Sequence, residues 1–353
     1  MRRGSERINL TTTRKAPASQ AVRTMRAASH DRYGDPISVV SVQDVPMPTI
    51  EQDQVLVQVH AAGVNWADHS MTIGEPRVMR LGYGLTRPRK GIRGMDVAGV
   101  VSQVGSSVGA LAPGDEVFGW CTGAFAQYAA VDQDQLLAKP DGLSFQEVAG
   151  LPTAGCVALQ AVRDIAAIQD GDEVLVVGAS GGIGSLTVQI AKAHGAHVTG
   201  VCSTPNLEFV RSLGADRVID YTKSDFTLGD ARYDMILDMA DKHTLSERRR
   251  VMTHDGTLIP NSGSGGRMVG SLPRIVTARL VSPFVSQRLR PFLSLTRRSD
   301  LEDLLDLIAA GAVRPVVGST YPLEQTGKAI AEAAAGHARG KVVVVVGDGD
   351  LKA

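Results

Sequence analysis

One stretch constrains this chain more than any other: Val174-Leu175-Val176-Val177-Gly178-Ala179-Ser180-Gly181-Gly182-Ile183-Gly184. An apolar burst runs into a glycine-rich turn, and Leu186, Val188, Ile190 and Ala191 follow at helical spacing. The pattern predicts a buried strand, a tight loop and a helix N-terminus. Unpaired N–H groups and the positive dipole end at such a terminus suit a pyrophosphate. Glycine lets the backbone approach phosphates and reach positive φ. Glycines at this spacing also occur in plain turns, so the surrounding sequence has to decide.

That sequence alternates. Strands fit at 173–177, 197–201, 217–220, 234–239 and 256–260, and helices at 183–194, 206–213 and 244–252. Such alternation predicts a doubly wound parallel sheet in an α/β fold. A small-residue helix fits just before it, at 147–164. Earlier still, short strands fit at 37–42, 55–59, 97–101, 115–119 and 125–131, divided by Gly and Pro turns, which predicts a smaller β-rich domain. Helices at 300–310 and 323–335 and a strand at 341–346 close the chain. The valines at 342–346 predict burial on both faces of that strand.

With 353 residues, 43% of them hydrophobic and 21% charged, the chain can build two domains with full cores. Lys plus Arg equals Asp plus Glu at 37 each, so the balance points to no nucleic-acid partner. Cys121, Cys156 and Cys202 are far apart and form no CxxC pair. That disfavours a disulfide framework and a thiolate zinc cluster, and a reducing, cytoplasmic setting is expected. No apolar run reaches the ~18 residues that span a bilayer. The first residues hold Arg2, Arg3, Arg7, Arg14, Lys15, Arg23 and Arg26 against one acid, Glu6. They lack the apolar core of a secretory signal and read as a disordered leader, with a transit segment as the alternative.

Several stretches appear in order: Ala61-Ala62-Gly63-Val64-Asn65-Trp66-Ala67-Asp68, Gly94-Met95-Asp96-Val97-Ala98-Gly99, Pro113-Gly114-Asp115-Glu116-Val117, Leu151-Pro152-Thr153-Ala154-Gly155, Leu213-Gly214-Ala215-Asp216 with Val218-Ile219-Asp220-Tyr221, and Gly336-His337-Ala338-Arg339-Gly340-Lys341-Val342-Val343. With them the chain resembles the medium-chain dehydrogenase/reductase superfamily, in its zinc-free quinone oxidoreductase (zeta-crystallin-like) branch, over roughly residues 25–347. The resemblance implies a leader at 1–24, a GroES-like catalytic domain at 25–145, a Rossmann domain at 146–314 and a return to the catalytic domain at 315–353. It also implies hydride transfer from a nicotinamide cofactor, usually in a homodimer.

Zinc is not expected. Where the zinc branch places its first Cys this chain has Asn65, and where that branch has His-Glu it has Met95-Asp96. Zn²⁺ needs three or four N, S or O ligands in a tetrahedral array, which these residues supply poorly. His60, Asp68 and His69 lie near Asn65 in sequence and would be the makeshift set.

The end of the second alternating strand reads Val201-Cys202-Ser203-Thr204-Pro205-Asn206, without the carboxylate that binds ribose hydroxyls in NAD sites. Hydroxyls there can donate to a 2′-phosphate, so NADPH is the expected cofactor. Related enzymes often carry Lys where Asn206 stands and Tyr where Tyr221 stands, and this chain keeps only the Tyr. Arg211 is a further cation nearby. The cofactor is expected to touch Ser180, Gly181, Gly182 and Ile183 in the loop, with Ser203, Thr204 and Tyr221 on the adenosine side. By resemblance, Thr153, Asn261 and Ser262 pass the nicotinamide, and Arg339 and Lys341 approach the cofactor from the closing turn. A solvated turn is the plain alternative for these last two.

Asn65 is the first choice of polar group for substrate, with Asp68 beside it for orientation or cofactor contact; a purely structural Asn65 is the alternative. The expected substrate is a quinone or enone. The rivals are a zinc-free alcohol or aldehyde dehydrogenase with the same cofactor, and a cofactor-binding protein with little turnover. The basic segment 77–93 reads as a solvated loop or an access path for anions. The Pro-broken segment 272–293 reads as a cap, a dimer surface or a membrane contact.

Overall fold

A computed structural model describes residues 23–240, 242–261, 285–291 and 294–347, together with Met268, Val276 and Ser282. Strand β1 (Thr24–Ser29) pairs antiparallel with β2 (Ser41–Pro46), and α1 (Pro36–Val39) lies between them. The alternation at 37–42 predicts a strand throughout, and the structure corrects its first half. Pro36 starts a helical turn, and Asp35 caps it by accepting from Ser38 N at 3.1 Å and Ser38 Oγ at 2.7 Å. A Pro preset for the first helical position and a good cap outweigh weak alternation over a few residues.

The next elements build the β-rich sheet. They are β3 (Gln54–Gly63), α2 (Trp66–Ile73), α3 (Arg80–Tyr83), β4 (Asp96–Val104), β5 (Glu116–Trp120), β6 (Tyr128–Asp132) and β7 (Leu136–Ala138). Two helices follow, α4 (Phe145–Ala149) and α5 (Pro152–Leu159). The single helix expected at 147–164 is therefore divided. Pro152 has no N–H to continue α4 and instead opens α5, which runs on through a π-helical turn at Gln160–Ala166.

The alternating region contains β8 (Glu173–Val177), α6 (Gly182–Ala193), β9 (His197–Cys202), α7 (Leu207–Ser212), β10 (Arg217–Asp220), β11 (Tyr233–Asp238), α8 (Leu245–Arg250), β12 (Met252–Pro260) and β13 (Arg288–Leu289). These six strands form an all-parallel sheet in the order β10-β9-β8-β11-β12-β13. That is the Rossmann order, with the reversal beside β8, so the carboxyl ends of β8 and β11 flank the crevice where dinucleotides bind. Finally come α9 (Arg298–Ala309), β14 (Val317–Pro322), α10 (Thr326–Ala335) and β15 (Lys341–Val345). β15 pairs antiparallel with β3 and parallel with β14, so the chain's last strands return to the first sheet.

One apolar cluster joins the two sheets. Ala61, Ala98 and Phe118 from the β-rich sheet pack with Val148, Leu151, Ala154, Leu159, Val176, Leu186 and Val343. Each fully buried Leu there contributes about 1.5–3 kcal/mol. The seam between the sheets is thus a shared core, and the polar groups exposed along it are held in fixed places.

Gly184 is locked into this arrangement. A Cβ on it would lie 2.2 Å from the carbonyl oxygen of Gly178 and 2.9 Å from Ala179 Cα, both backbone atoms of the turn. Gly184→Ala is expected to cost about 1–3 kcal/mol of stability through overpacking. Urea unfolding of the variant checks this, and an unchanged midpoint would contradict it.

Candidate functional site

A chain of buried and half-buried polar groups lies in the seam. Asn65 precedes α2, Asp96 starts β4, Thr153 is in the first turn of α5 and Lys341 starts β15. Asp96 is wholly buried. Its Oδ1 accepts from Thr153 N at 3.1 Å and Thr153 Oγ1 at 2.5 Å. Its Oδ2 accepts from Asn65 Nδ2 at 2.9 Å and lies 3.6 Å from Lys341 Nζ. Lys341 Nζ donates to Asn65 Oδ1 at 2.7 Å and to Val64 O at 2.9 Å. The Asn65 amide is therefore wedged between a cation on its oxygen side and a carboxylate on its nitrogen side. Its orientation follows from charge, since reversing it would set oxygen against carboxylate and N–H against ammonium.

Asp68 supports this cluster from below. It is fully buried, and accepts from Asn65 N at 2.8 Å and Gly94 N at 3.0 Å. The first contact is half of a capping box at the start of α2. Burial pushes the Asp68 carboxyl up to about 6, against the lowering effect of its two N–H donors. Burial likewise lowers the Lys341 ammonium, while Asp96 and Asp68 act to raise it.

Lys341 also reaches the glycine loop. Its side chain crosses Gly182 so closely that a Cβ there would sit 2.7 Å from Lys341 Cδ. Gly340 N donates to Ser180 O at 2.7 Å, and Gly340 forms a bridge with Gly181. Gly340 has φ +68°, and a Cβ on it would strike Val316 O. The closing turn and the glycine loop are thus stitched backbone to backbone. The N-terminus of α6 is left bare: no side chain caps it and its first turn holds no acid. By contrast, α4 and α8 both begin with complete capping boxes, from Ser144 with Glu147 and Thr244 with Glu247. Uncapped donors at the end of a 12-residue helix fit an anionic ligand.

Beyond the loop, the carboxyl ends of β9 and β10 form a second polar group. Asn206 Nδ2 lies 3.2 Å from Ser180 Oγ and 3.3 Å from Ser203 Oγ, and its Oδ1 accepts from Arg339 Nε at 2.6 Å. Arg339 also donates to Pro205 O. Thr204 Oγ1 donates to Asp220 Oδ2 at 2.6 Å. Sequence spacing shows no carboxylate at the end of β9, but pairing with β10 sets Asp220 beside Cys202 and brings one there. Thr204, Thr222 and Lys223 hold the Asp220 carboxyl below its usual range. Tyr221 is exposed, and Lys242 Nζ sits 4.8 Å from its ring centroid.

The structure thus brings Asn65, Asp68, Thr153 and Lys341 together at one end of the seam. Ser180, Gly181, Gly182 and Ile183 lie in the middle, and Ser203, Thr204, Tyr221 and Arg339 at the other end. Asn261 follows β12 and donates its N–H to Asp238 O at 2.8 Å. Ser262 lies outside the described residues, as does most of the 272–293 segment. Lys341 is buried and not in a solvated turn. Arg211 pairs with Glu208 along α7. Of the 77–93 cations, Arg80 stacks on Tyr33 at 4.3 Å and Arg93 is buried against His30, while Arg77, Arg87, Arg89 and Lys90 are exposed. Asp96 is the group that sequence reading valued only as a failed metal ligand. Its pairing with Asn65 across 31 positions leaves no local signal.

A metal does not fit. Among the described residues no three His, Cys, Asp or Glu side chains converge. The His60 ring is stacked on Phe145 at 4.6 Å. An ammonium between Asn65 and Asp96 would repel a second cation. The three cysteines are free and buried, with burial raising Cys121 and Cys156 to about 12 and Cys202 to about 11, so they stand as thiols. Among the described residues no helix is long and apolar enough to cross a membrane.

Comparison with known proteins agrees with this architecture. The alcohol dehydrogenase GroES-like domain family matches residues 51–141, and the zinc-binding dehydrogenase family matches residues 213–344. The chloroplast envelope quinone oxidoreductase homolog of Arabidopsis thaliana is 30% identical, over 92% of this chain and 99% of that protein. The chloroplastic NADPH-dependent alkenal/one oxidoreductase of the same plant is 32% identical, over 96% of this chain and 83% of that protein. The quinone oxidoreductase structure from Coxiella burnetii superposes with a TM-score of 0.81 at 28% identity, covering 92% of this chain and 100% of that one.

The raised Asp68 carboxyl carries a sign. Its native form holds a proton up to about pH 6, whereas the unfolded chain releases it near the ordinary carboxyl value of 3.8. Between those values the native state binds more protons, so this group's contribution to stability is full below pH 4 and is lost as pH rises through 6. The stability of the wild type relative to Asp68→Asn is expected to fall across pH 4–6, by up to about 1.4 kcal/mol per pH unit, and to level off above. Chemical unfolding of both proteins across that window checks it. A difference that rises with pH would contradict it.

Proposed function

Because the chain belongs to the medium-chain dehydrogenase/reductase superfamily, in its quinone oxidoreductase-like branch, we propose that it is a zinc-independent, NADPH-dependent reductase of quinones or α,β-unsaturated carbonyls. What supports the cofactor is the bare N-terminus of α6, whose uncapped N–H groups suit a pyrophosphate, and the packing of Gly182 against Lys341, which leaves no room for a side chain in the loop. When bound there, NADPH supplies a hydride. Zinc does not fit the residues present.

The observation that carries this reading is the fixed amide of Asn65. With Oδ1 on the ammonium and one N–H on Asp96, the second N–H of Nδ2 makes no hydrogen bond among the described residues. Hydride addition to a quinone, or to the β-carbon of an enone, collects negative charge on a conjugated oxygen. A pre-set N–H donor aimed at that oxygen stabilises the transition state without reorganising. Asn65 is the catalytic group in this reading. Asp96, Lys341 and Asp68 are positioning residues, which fix the amide and the loop that carries it. Thr153 anchors the other side of Asp96, and its hydroxyl proton is already committed there. The apolar walls of the seam exclude water, and solvent protonates the product at its rim. A saturated aldehyde offers the same donor an oxygen but no conjugated carbon, so conjugated substrates are preferred.

Asn65→Ala is expected to lower kcat by about 10²-fold, the scale for losing one such donor, with little change in NADPH affinity. Steady-state kinetics with an enone and a cofactor titration check the pair, and an unchanged kcat would remove Asn65 from catalysis. An NADPH-oxidation screen is expected to give turnover with quinones and enones and little with saturated aldehydes. The same preparation is expected to contain no stoichiometric zinc and to keep its activity in chelator. Preference for saturated carbonyls, or chelator loss reversed by zinc, would overturn the proposal.

A further inference from the structure

The adenosine end of the seam holds an arrangement that the residue order along β9 does not reveal. Its hydroxyls differ in what they can give. Thr204 has one hydroxyl proton, and that proton goes to Asp220 at 2.6 Å. Toward an incoming ligand Thr204 presents only lone pairs, which do not bind phosphate. Ser203 is in the opposite state. Its oxygen lies 3.3 Å from the amide donor of Asn206, so its own proton is free to be given. The Asp220 carboxylate adds a negative charge beside them, offset by donors from Thr204 and Thr222 and by Lys223 Nζ at 3.7 Å. Hydroxyls alone therefore make a weak phosphate site here.

Cations come from elsewhere in the chain. Arg339 crosses from the turn before β15 and places its Nε on Asn206 Oδ1 at 2.6 Å, one residue removed from Ser203 Oγ. Its guanidinium remains exposed. Asn206 stands where related enzymes often carry Lys, and here its amide serves as the bracket that holds a cation donated from 133 positions away. Lys242, just past β11, lies over the ring of Tyr221 and is also exposed.

We infer that Arg339, held by Asn206 and seconded by Lys242, is the specificity-determining cation for the 2′-phosphate of an adenine nucleotide, in place of a lysine on the strand-loop itself. The assignment rests on the NADPH reading above. The guanidinium is suited to the role because its donors form a planar fork, and the pair on Asn206 and Pro205 orients it without consuming every N–H. Thr204 is a support for Asp220 and does not read the phosphate.

The test is calorimetric binding of 2′,5′-ADP and of 5′-AMP to the full chain, which reads the phosphate without any turnover. The wild type is expected to prefer 2′,5′-ADP by more than about tenfold, the scale of charge-assisted hydrogen bonds to one phosphate. Arg339→Met is expected to lose that preference while keeping 5′-AMP affinity within about twofold, which also shows that the site is folded. Arg339→Lys is expected to retain part of it, and Lys242→Ala to weaken it less than Arg339→Met does. A wild type that binds both nucleotides equally would overturn the assignment and the NADPH preference together. A wild type that prefers 2′,5′-ADP, with the preference intact in Arg339→Met, would overturn the assignment alone. Equal loss of both nucleotides in Arg339→Met would also overturn it, because Arg339 would then be only a brace for the loop.

Discussion

The ammonium of Lys341 is the point on which the site depends. A buried cation is expensive unless it is paired and hydrogen-bonded. Here it has an amide oxygen, a backbone carbonyl and a carboxylate around it. Those partners come from two separate stretches, the loop before α2 and the start of β4, while the ammonium itself comes from the start of β15. Satisfying one charge therefore pins the β-rich sheet, the closing strand and the entrance of α5 to each other. Because the stem of the same residue lies across Gly182, the pinning extends to the glycine loop of the parallel sheet. The polar cluster and the helix N-terminus are thus tied together by this side chain and by the backbone bond from Gly340 N to Ser180 O.

This arrangement supports the proposed reduction without a metal. Asn65 and Asp96 are joined directly by a hydrogen bond, and the Lys341 ammonium lies against both. What remains available is a donor with a fixed direction. Conjugated acceptors suit such a site, since they spread the developing charge to an oxygen that a single N–H can reach. Positioning is the protein's share of the work, and it is provided by a core that runs unbroken from one sheet to the other.

Much of the fold was legible along the chain. The apolar burst before Gly178 and the alternating strands and helices after it forecast the six-stranded parallel sheet, because a parallel sheet buried on both faces needs continuous apolar strands. The valines before Gly347 forecast a doubly buried strand in the same way, and all of them are buried. Short-range chemistry was less legible. Asp35 and Pro36 turned an apparent strand into a helical turn, and Pro152 divided an apparent helix, since caps and missing donors act locally and outweigh weak periodicity. At the site, Asn65 and the glycine loop stood out as residues, but their partners did not. Asp96, Asp220 and Lys242 gain their meaning only from neighbours far away in the chain.

The amino-acid sequence by itself determined the sheet types and the glycine-rich turn between β8 and α6, because each follows from periodicity or from residue chemistry at short spacing. Tertiary structure decided which way the Asn65 amide points, that Lys341 is buried and not solvated, and that a carboxylate and an arginine both come to the end of β9, Asp220 onto Thr204 and Arg339 onto Asn206. The reason is the same in all three cases. A hydrogen bond or a charge pair depends on distances of about 3 Å, and only the pairing of β15 with β3, of β10 with β9 and of the closing turn with the glycine loop brings those atoms within that range.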